Sequence, residues 1–221
     1  MKNYSASINP DMVSFIPKNS FVLDVGCADG KLGEHLKKNL NCTVFGIEKN
    51  EFSANIAKEK IDKVFCIDLE EKKPPIADGT FDVIIFSDVL EHLKEPEKTI
   101  AAYRVLLKPT GKIVVSVPNI ANFLIRIKLL FGMFDYQDKG ILDSTHLRFF
   151  TEKTIKKTII DCGFVIVKIK ATQNILESKP PRKFLQATRL QGAYDKAHYM
   201  LANKWKSLFA KQFVILAEKI N

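Results

Sequence analysis

Residues 21–33 read FVLDVGCADGKLG, an apolar run from Phe21 to Val25 that passes without a linker into Gly26, Cys27, Ala28, Asp29 and Gly30 and then into a helical pattern. No other stretch constrains the fold as tightly. A turn of small residues between a buried strand and a helix start lets a ligand approach the backbone and offers it unpaired N–H groups. A dinucleotide fingerprint needs small residues at positions one, three and six, and position six here is Lys31, whose side chain would obstruct close helix packing. The spacing that fits is one, three and five: Gly26, Ala28 and Gly30. Asp24, directly before the turn, suits a cationic ligand better than a pyrophosphate.

The rest of the chain supplies the scaffold that such a turn requires. Short apolar runs at Phe21–Val25, Thr43–Ile47, Val64–Ile67, Phe81–Phe86 and Lys112–Val117 alternate with helical patterns at Lys31–Asn39, Glu51–Glu59 and Glu95–Leu107. That alternation predicts an α/β protein with a mostly parallel sheet covered by helices on both faces. KPTG, residues 108–111, reads as a turn into the fifth strand. Thr151 reads as an N-cap, Ile155, Ile159 and Cys162 share one helix face, and Gly163 is a stop; FVIVKIKAT and QFVILAEK then give strands six and seven. The expected organisation is one domain over 1–221, with an insert at 118–150 over an acceptor site and a basic helical insert at 173–210. Within the latter, Leu190, Tyr194, Ala197, Leu201, Trp205 and Leu208 form an apolar stripe. Phe123 to Phe134, apolar nearly all round, fits a lid or an ordinary buried helix equally.

Charge is unevenly placed. Of the 34 Lys+Arg and 25 Asp+Glu, residues 1–150 hold 20 and 20 and residues 151–221 hold 14 and 5, so the whole net charge of +9 lies in the last third. Such segregation suits an anionic partner, or a solvated lysine-rich face. Cys27, Cys42, Cys66 and Cys162 form no CxxC pair and do not cluster with the histidines, so no metal site and no disulfide framework is expected. With no apolar leader and no segment long enough to span a bilayer, the expected location is cytoplasmic, with contact at the inner membrane surface left open.

Four landmarks in order carry a family resemblance. VLDVGCADG, VFGIEKN ending strand two, FCIDLE, and FDVIIFSDVLEHLKEP together resemble class I S-adenosylmethionine-dependent methyltransferases, with Ala28 where the family has its middle glycine. The resemblance implies a Rossmann-like seven-stranded sheet with strand seven antiparallel, and S-adenosyl-L-methionine as cofactor, leaving as S-adenosyl-L-homocysteine. It implies donor contacts from Asp24, Gly26, Cys27, Ala28 and Gly30, from Glu48 to the ribose hydroxyls with Lys49 beside it, from Asp68 and Leu69 to adenine, and from Ser87. DSTHLRFFT, residues 143–151, is similar to a stretch of methionine-biosynthesis-protein-W-like methyltransferases that accompany surface-glycan genes.

The acceptor side is read from that stretch. His146 and Arg148 lie two apart, so an extended segment would point both to one side, with Leu147 and Phe149 anchoring the other. His146 is the expected base for a hydroxyl acceptor, with His92 the second catalytic candidate and Arg148, Asn119 and Tyr136 expected to bind substrate. The expected reaction is O-methylation of a small anionic acceptor such as a sugar, sugar nucleotide or phosphorylated glycan precursor. Two rivals stay open: an RNA-directed methyltransferase, disfavoured as a base methylase because Ser87-Asp88-Val89-Leu90 replaces Asn/Asp-Pro-Pro-Tyr, and a membrane-surface or partner-docking module with a vestigial donor site.

Overall fold

A computed structural model describes residues 8–172, 200 and 204–220. Seven strands form one sheet: β1 (Phe21–Val25), β2 (Thr43–Ile47), β3 (Lys63–Phe65), β4 (Phe81–Ser87), β5 (Leu107–Pro118), β6 (Phe164–Thr172) and β7 (Gln212–Lys219). Their spatial order is β3-β2-β1-β4-β5-β7-β6. The β1–β2, β2–β3, β1–β4 and β4–β5 pairs are parallel, whereas β7 runs antiparallel to both β5 and β6. The fold class and the antiparallel seventh strand are as the sequence implies.

The helices are α1 (Pro10–Val13), α2 (Lys31–Leu40), α3 (Glu51–Lys58), α4 (Pro96–Arg104), α5 (Phe123–Leu130), α6 (Glu152–Asp161) and α7 (Lys206–Phe209), with a 3-10 turn at Leu90–His92. The near-continuous apolar strands are explained by two buried faces. Leu23, Val25, Ile84, Phe86, Val115, Val117 and Phe213 pack with Ile100 and Tyr103 of α4 and with Ile155 and Ile159 of α6. The alternate residues Val22, Val44, Val83, Ile85, Val114 and Val214 pack with Met12, Leu36, Ala57 and Ile61 on the opposite face. The short α1 was not foreseen; Asn9 caps it and its Met12 is fully buried.

Thr151 caps α6 in a reciprocal pair with Thr154, and Gly163 follows at φ +82°, as expected. Three elements differ by more than one residue at a boundary. β3 stops at Phe65, leaving Cys66 to Asp68 in a loop. α4 ends at Arg104 because the carbonyls of Val105 and Leu106 accept from Gly79 and Phe81 at the entry to β4. The KPTG turn is absorbed into β5: Phe81 lies opposite Leu107 and Val83 opposite Lys112, so β5 takes five residues where β4 takes two.

The segment after β5 is not an ordinary buried helix. Only Ile125 of α5 is buried, whereas Leu130 is 81% and Phe131 71% exposed. Most of the 173–210 insert and its apolar stripe lies outside the described residues; of the stripe's late members, Trp205 is half exposed, with its ring 6.1 Å from Phe209, itself 6.1 Å from Phe123. Among the described residues no helix is long and apolar enough to cross a membrane.

Gly46 of β2 marks where the β1–α2 turn packs closest on the sheet. A Cβ there would lie 2.5 Å from Cys27 Sγ and 2.7 Å from Ile61 Cδ1, both buried. Gly46→Ala is expected to cost about 1–3 kcal/mol through overpacking, read as a lowered midpoint in urea unfolding with an unchanged slope.

Candidate active site

Parallel pairing places the carboxyl ends of β1, β2 and β4 along one edge, with Asp24 opposite Gly46 on one side and Ile85 on the other. In such sheets ligands bind beyond that edge. The β1–α2 turn curls back over it. Gly26 sits at φ +74°, and a Cβ on it would meet Val89 Cγ2 at 2.6 Å, so the bare backbone is required by packing against the loop after β4. Ala28 adopts φ +46°, the left-handed region that glycine would occupy without strain.

Glu48 clasps this turn. Its Oε2 accepts from the Ala28 N–H at 3.0 Å and its Oε1 from the Asn50 N–H at 2.8 Å. Each carboxylate oxygen has a second lone pair, so the side chain is oriented and still able to accept from a vicinal diol. Asp24 is 2% exposed; burial first and the Glu48 charge second push its carboxyl up to about 7. Two carboxylates this close, one of them dry, favour a cation above the turn. Asp68, beyond β3, accepts from the Glu70 N–H at 3.0 Å and faces Lys49 at 4.0 Å. Beside it opens a depression of about 520 Å³ lined by Lys49, Asn50, Cys66, Ile67, Asp68, Glu71 and Lys72. Leu69 packs against the core behind it, and Ser87 closes β4 opposite Ser116.

The side chain of Cys27 is directed away from this edge. It is buried with Gly46 and Ile61, and burial, then Asp24, push its thiol far above the ordinary value. Any donor contact from Cys27 is therefore through its backbone.

Opposite the turn, the insert docks on the loop after β4. The N–H groups of Leu147 and Arg148 both donate to the Glu91 carbonyl, at 2.8 and 3.0 Å. This brings the His146 and His92 rings edge to face at 4.9 Å. A row of aromatic rings continues from His146 to Phe149 at 6.3 Å, Phe134 at 6.0 Å from Phe149, and Tyr136 at 5.6 Å from Phe134. Burial, and then His146, lower the His92 pKa, keeping that ring neutral at neutral pH. Glu91 lies beneath with its carboxyl raised well above the usual range by burial and by Asp88.

Several acceptor-side expectations are corrected. Residues 143–146 form a turn, with His146 N–H donating to Asp143 O, so the expected alternation fails: Leu147 is exposed and Phe149 packs near His146. Arg148 donates through Nε and Nη2 to the Lys94 carbonyl, a contact that ties the insert down. Asn119 is fully buried; its amide nitrogen donates to the Ser207 and Ala210 carbonyls at 3.2 and 2.9 Å, which makes it a strut between β5 and the approach to β7. Ligand atoms of Glu91, His92 and His146 lie within 4.8 Å of one another, a grouping not expected from the sequence. The adjacency of Glu91 and His92 was readable; the arrival of His146 was not.

Residues 6–169 match the family described as Methyltransferase domain. The ubiquinone biosynthesis O-methyltransferase of Colwellia psychrerythraea is 34% identical over 143 residues, 54% of this chain and 58% of that protein. The enzyme of the same name from Coxiella burnetii is 31% identical over 150 residues, 62% of each. The chain thus spans about three-fifths of the length of these curated relatives. A SAM dependent methyltransferase from Archaeoglobus fulgidus superposes with a TM-score of 0.67 at 21% identity, covering 95% of this chain and 90% of that one. One from Aquifex aeolicus gives 0.61 at 19%, covering 96% and 90%. At these identities the structures show a shared fold.

The buried Asp24 makes stability depend on pH in a defined sense. Its folded pKa is raised, so the unfolded chain loses the proton first and stability falls as pH rises from ~4 to ~7, then levels off. Asp24→Asn removes this term: relative to the ligand-free parent it should gain on the order of 3–4 kcal/mol at pH 8 and nothing at pH 4, measured by urea unfolding at both.

Proposed function

This chain belongs to the methyltransferase-domain family, and from that premise we propose that it is an S-adenosylmethionine-dependent O-methyltransferase acting on a small hydroxyl-bearing molecule. One observation carries the reading: Asp24, Glu48 and Asp68 stand at or just past the ends of three adjacent strands around a turn too crowded for side chains. The fit to the donor is chemical. Asp24 meets an ammonium in a dry setting, Glu48 holds two acceptor positions for ribose hydroxyls, and the depression beside Asp68 accommodates a base. Bound there, the donor supplies an electrophilic methyl group on a sulfonium.

The protein's part is positioning. The Gly26–Gly30 backbone and Val89 wall the donor from one side, and the loop after β4 with its docked insert walls the acceptor from the other. Holding both partners at attack distance with little water supplies most of the acceleration in an in-line displacement. Activation of the hydroxyl belongs to the cluster of Glu91, His92 and His146, His146 being the base that the sequence suggests.

For the acceptor, the exposed apolar face of α5 and the aromatic row ending at His146 support a molecule with an apolar body, covered by residues 123–136 as a strap. The relatives named as ubiquinone biosynthesis O-methyltransferases favour oxygen over nitrogen as the accepting atom. Our second reading is a sugar, sugar nucleotide or phosphorylated glycan precursor, supported by the basic excess of residues 151–221. Transfer of labelled methyl from the donor to a panel of hydroxylated quinones, phenols and nucleotide sugars separates the two.

Calorimetric titration tests the donor site. Glu48→Ala should weaken S-adenosylmethionine binding roughly 100-fold, the loss of two charge-assisted hydrogen bonds, with a parallel loss for S-adenosylhomocysteine. Unchanged affinity for both would remove the assignment.

A further inference from the structure

We propose that Glu91, His92 and His146 form a binding site for a single divalent transition-metal ion whose remaining coordination positions are filled from outside the protein. Glu91 is the observation that demands an occupant. The residue is 1% exposed, and neither carboxylate oxygen has a hydrogen-bond partner; the only other such side-chain atom among the described residues is the Tyr103 hydroxyl. A dry carboxyl group with no hydrogen-bond partner is costly whether or not it holds a proton, so a group that satisfies its oxygens is expected.

The two imidazoles are prepared as ligands. His146 Nδ1 lies 3.1 Å from the Ile141 carbonyl, and His92 Nδ1 lies 3.2 Å from both the carbonyl and the hydroxyl of Thr145. A carbonyl can only accept, so in each ring the Nδ1 facing it carries a proton, which leaves Nε2 as the atom available to an ion. The outer layer extends further: Thr145 donates through its hydroxyl at 2.8 Å and its N–H at 2.9 Å to the buried Asp143. Carbonyl and carboxylate partners on the far nitrogen are what orient metal-ligating histidines.

The spacing is close to what an ion needs. Ligand atoms of the three residues lie within 4.8 Å of one another, whereas three ligands on ~2.1 Å bonds stand about 3.4 Å apart in tetrahedral geometry. The two partly exposed histidines have side-chain freedom to make that contraction. Asp88, the next carboxylate, has its Oδ1 engaged by Ser116 and Gln212 and adds negative potential without serving as a ligand. Two imidazoles and one carboxylate suit Zn²⁺, Fe²⁺, Co²⁺ or Mn²⁺ better than Mg²⁺. The site follows directly on the end of β4, on the acceptor side of the crevice. If the methyltransferase reading holds, an acceptor hydroxyl bound to the ion would be more acidic and would release its proton to solvent water; with the ion bound His146 would hold the metal, and without it His146 would be the base.

The test uses the full chain stripped with a chelator. Calorimetry with Zn²⁺ and visible absorption with Co²⁺ should show one ion per chain, and Glu91→Gln and His146→Ala should each weaken it at least ~10-fold. Both variants should keep their affinity for S-adenosylhomocysteine, which also shows that they fold. Glu48→Ala should do the reverse, losing the nucleoside and keeping the metal, so failure of one site is distinguishable from failure of the other. No stoichiometric binding to the parent, or binding equally tight in the Glu91→Gln/His146→Ala double variant, overturns the proposal.

Discussion

Everything at the working edge of this protein depends on β1 being paired in parallel on both sides. Flanked by β2 and β4 in register, it can end nowhere but beside their own carboxyl ends, and its following turn must pass over that edge to reach α2. Asp24, Glu48 and the loop after β4 are thereby gathered without any long-range contact between their side chains being needed. The Glu48 carboxylate then fixes what the register has gathered, because it binds an N–H of the first turn and one of the second.

The two halves of the crevice are built on different principles. The donor half is local: each participating residue is at or next to the last position of a strand or lies a few positions beyond it. The acceptor half is assembled by an insert laid across a loop, held mainly through backbone carbonyls of Glu91 and Lys94. Such a half can change its side chains without disturbing the sheet, which is where variation in acceptor is accommodated in a fold of this kind.

That division explains what could be read from the sequence. β1 and β2 were legible to the residue because each is a short apolar run closed by a turn, β6 and β7 because each is a run rich in β-branched and apolar residues, and the donor-side acids because they sit at or just past the ends of strands. KPTG was misread because a proline and glycine signal a turn even where a bulged strand continues through them. Asn119 was misread for another reason: a polar side chain in an insert looks the same in sequence whether it faces a ligand or ties backbone carbonyls together. The burial of Glu91 was not legible, because nothing in its neighbours announces that it is sealed from water.

The position of β7 has a consequence for how the chain reaches its native state. β7, which follows β6 in the chain, occupies the slot between β5 and β6, so Lys112 must wait for Glu218 before that side of it is covered. Until β7 is made, β6 has α6 packed on it but no strand to pair with, and β5 keeps one border open. Nascent chains halted before residue 212 therefore expose unpaired strand borders, the species that chaperones retain and that self-associate when they do not.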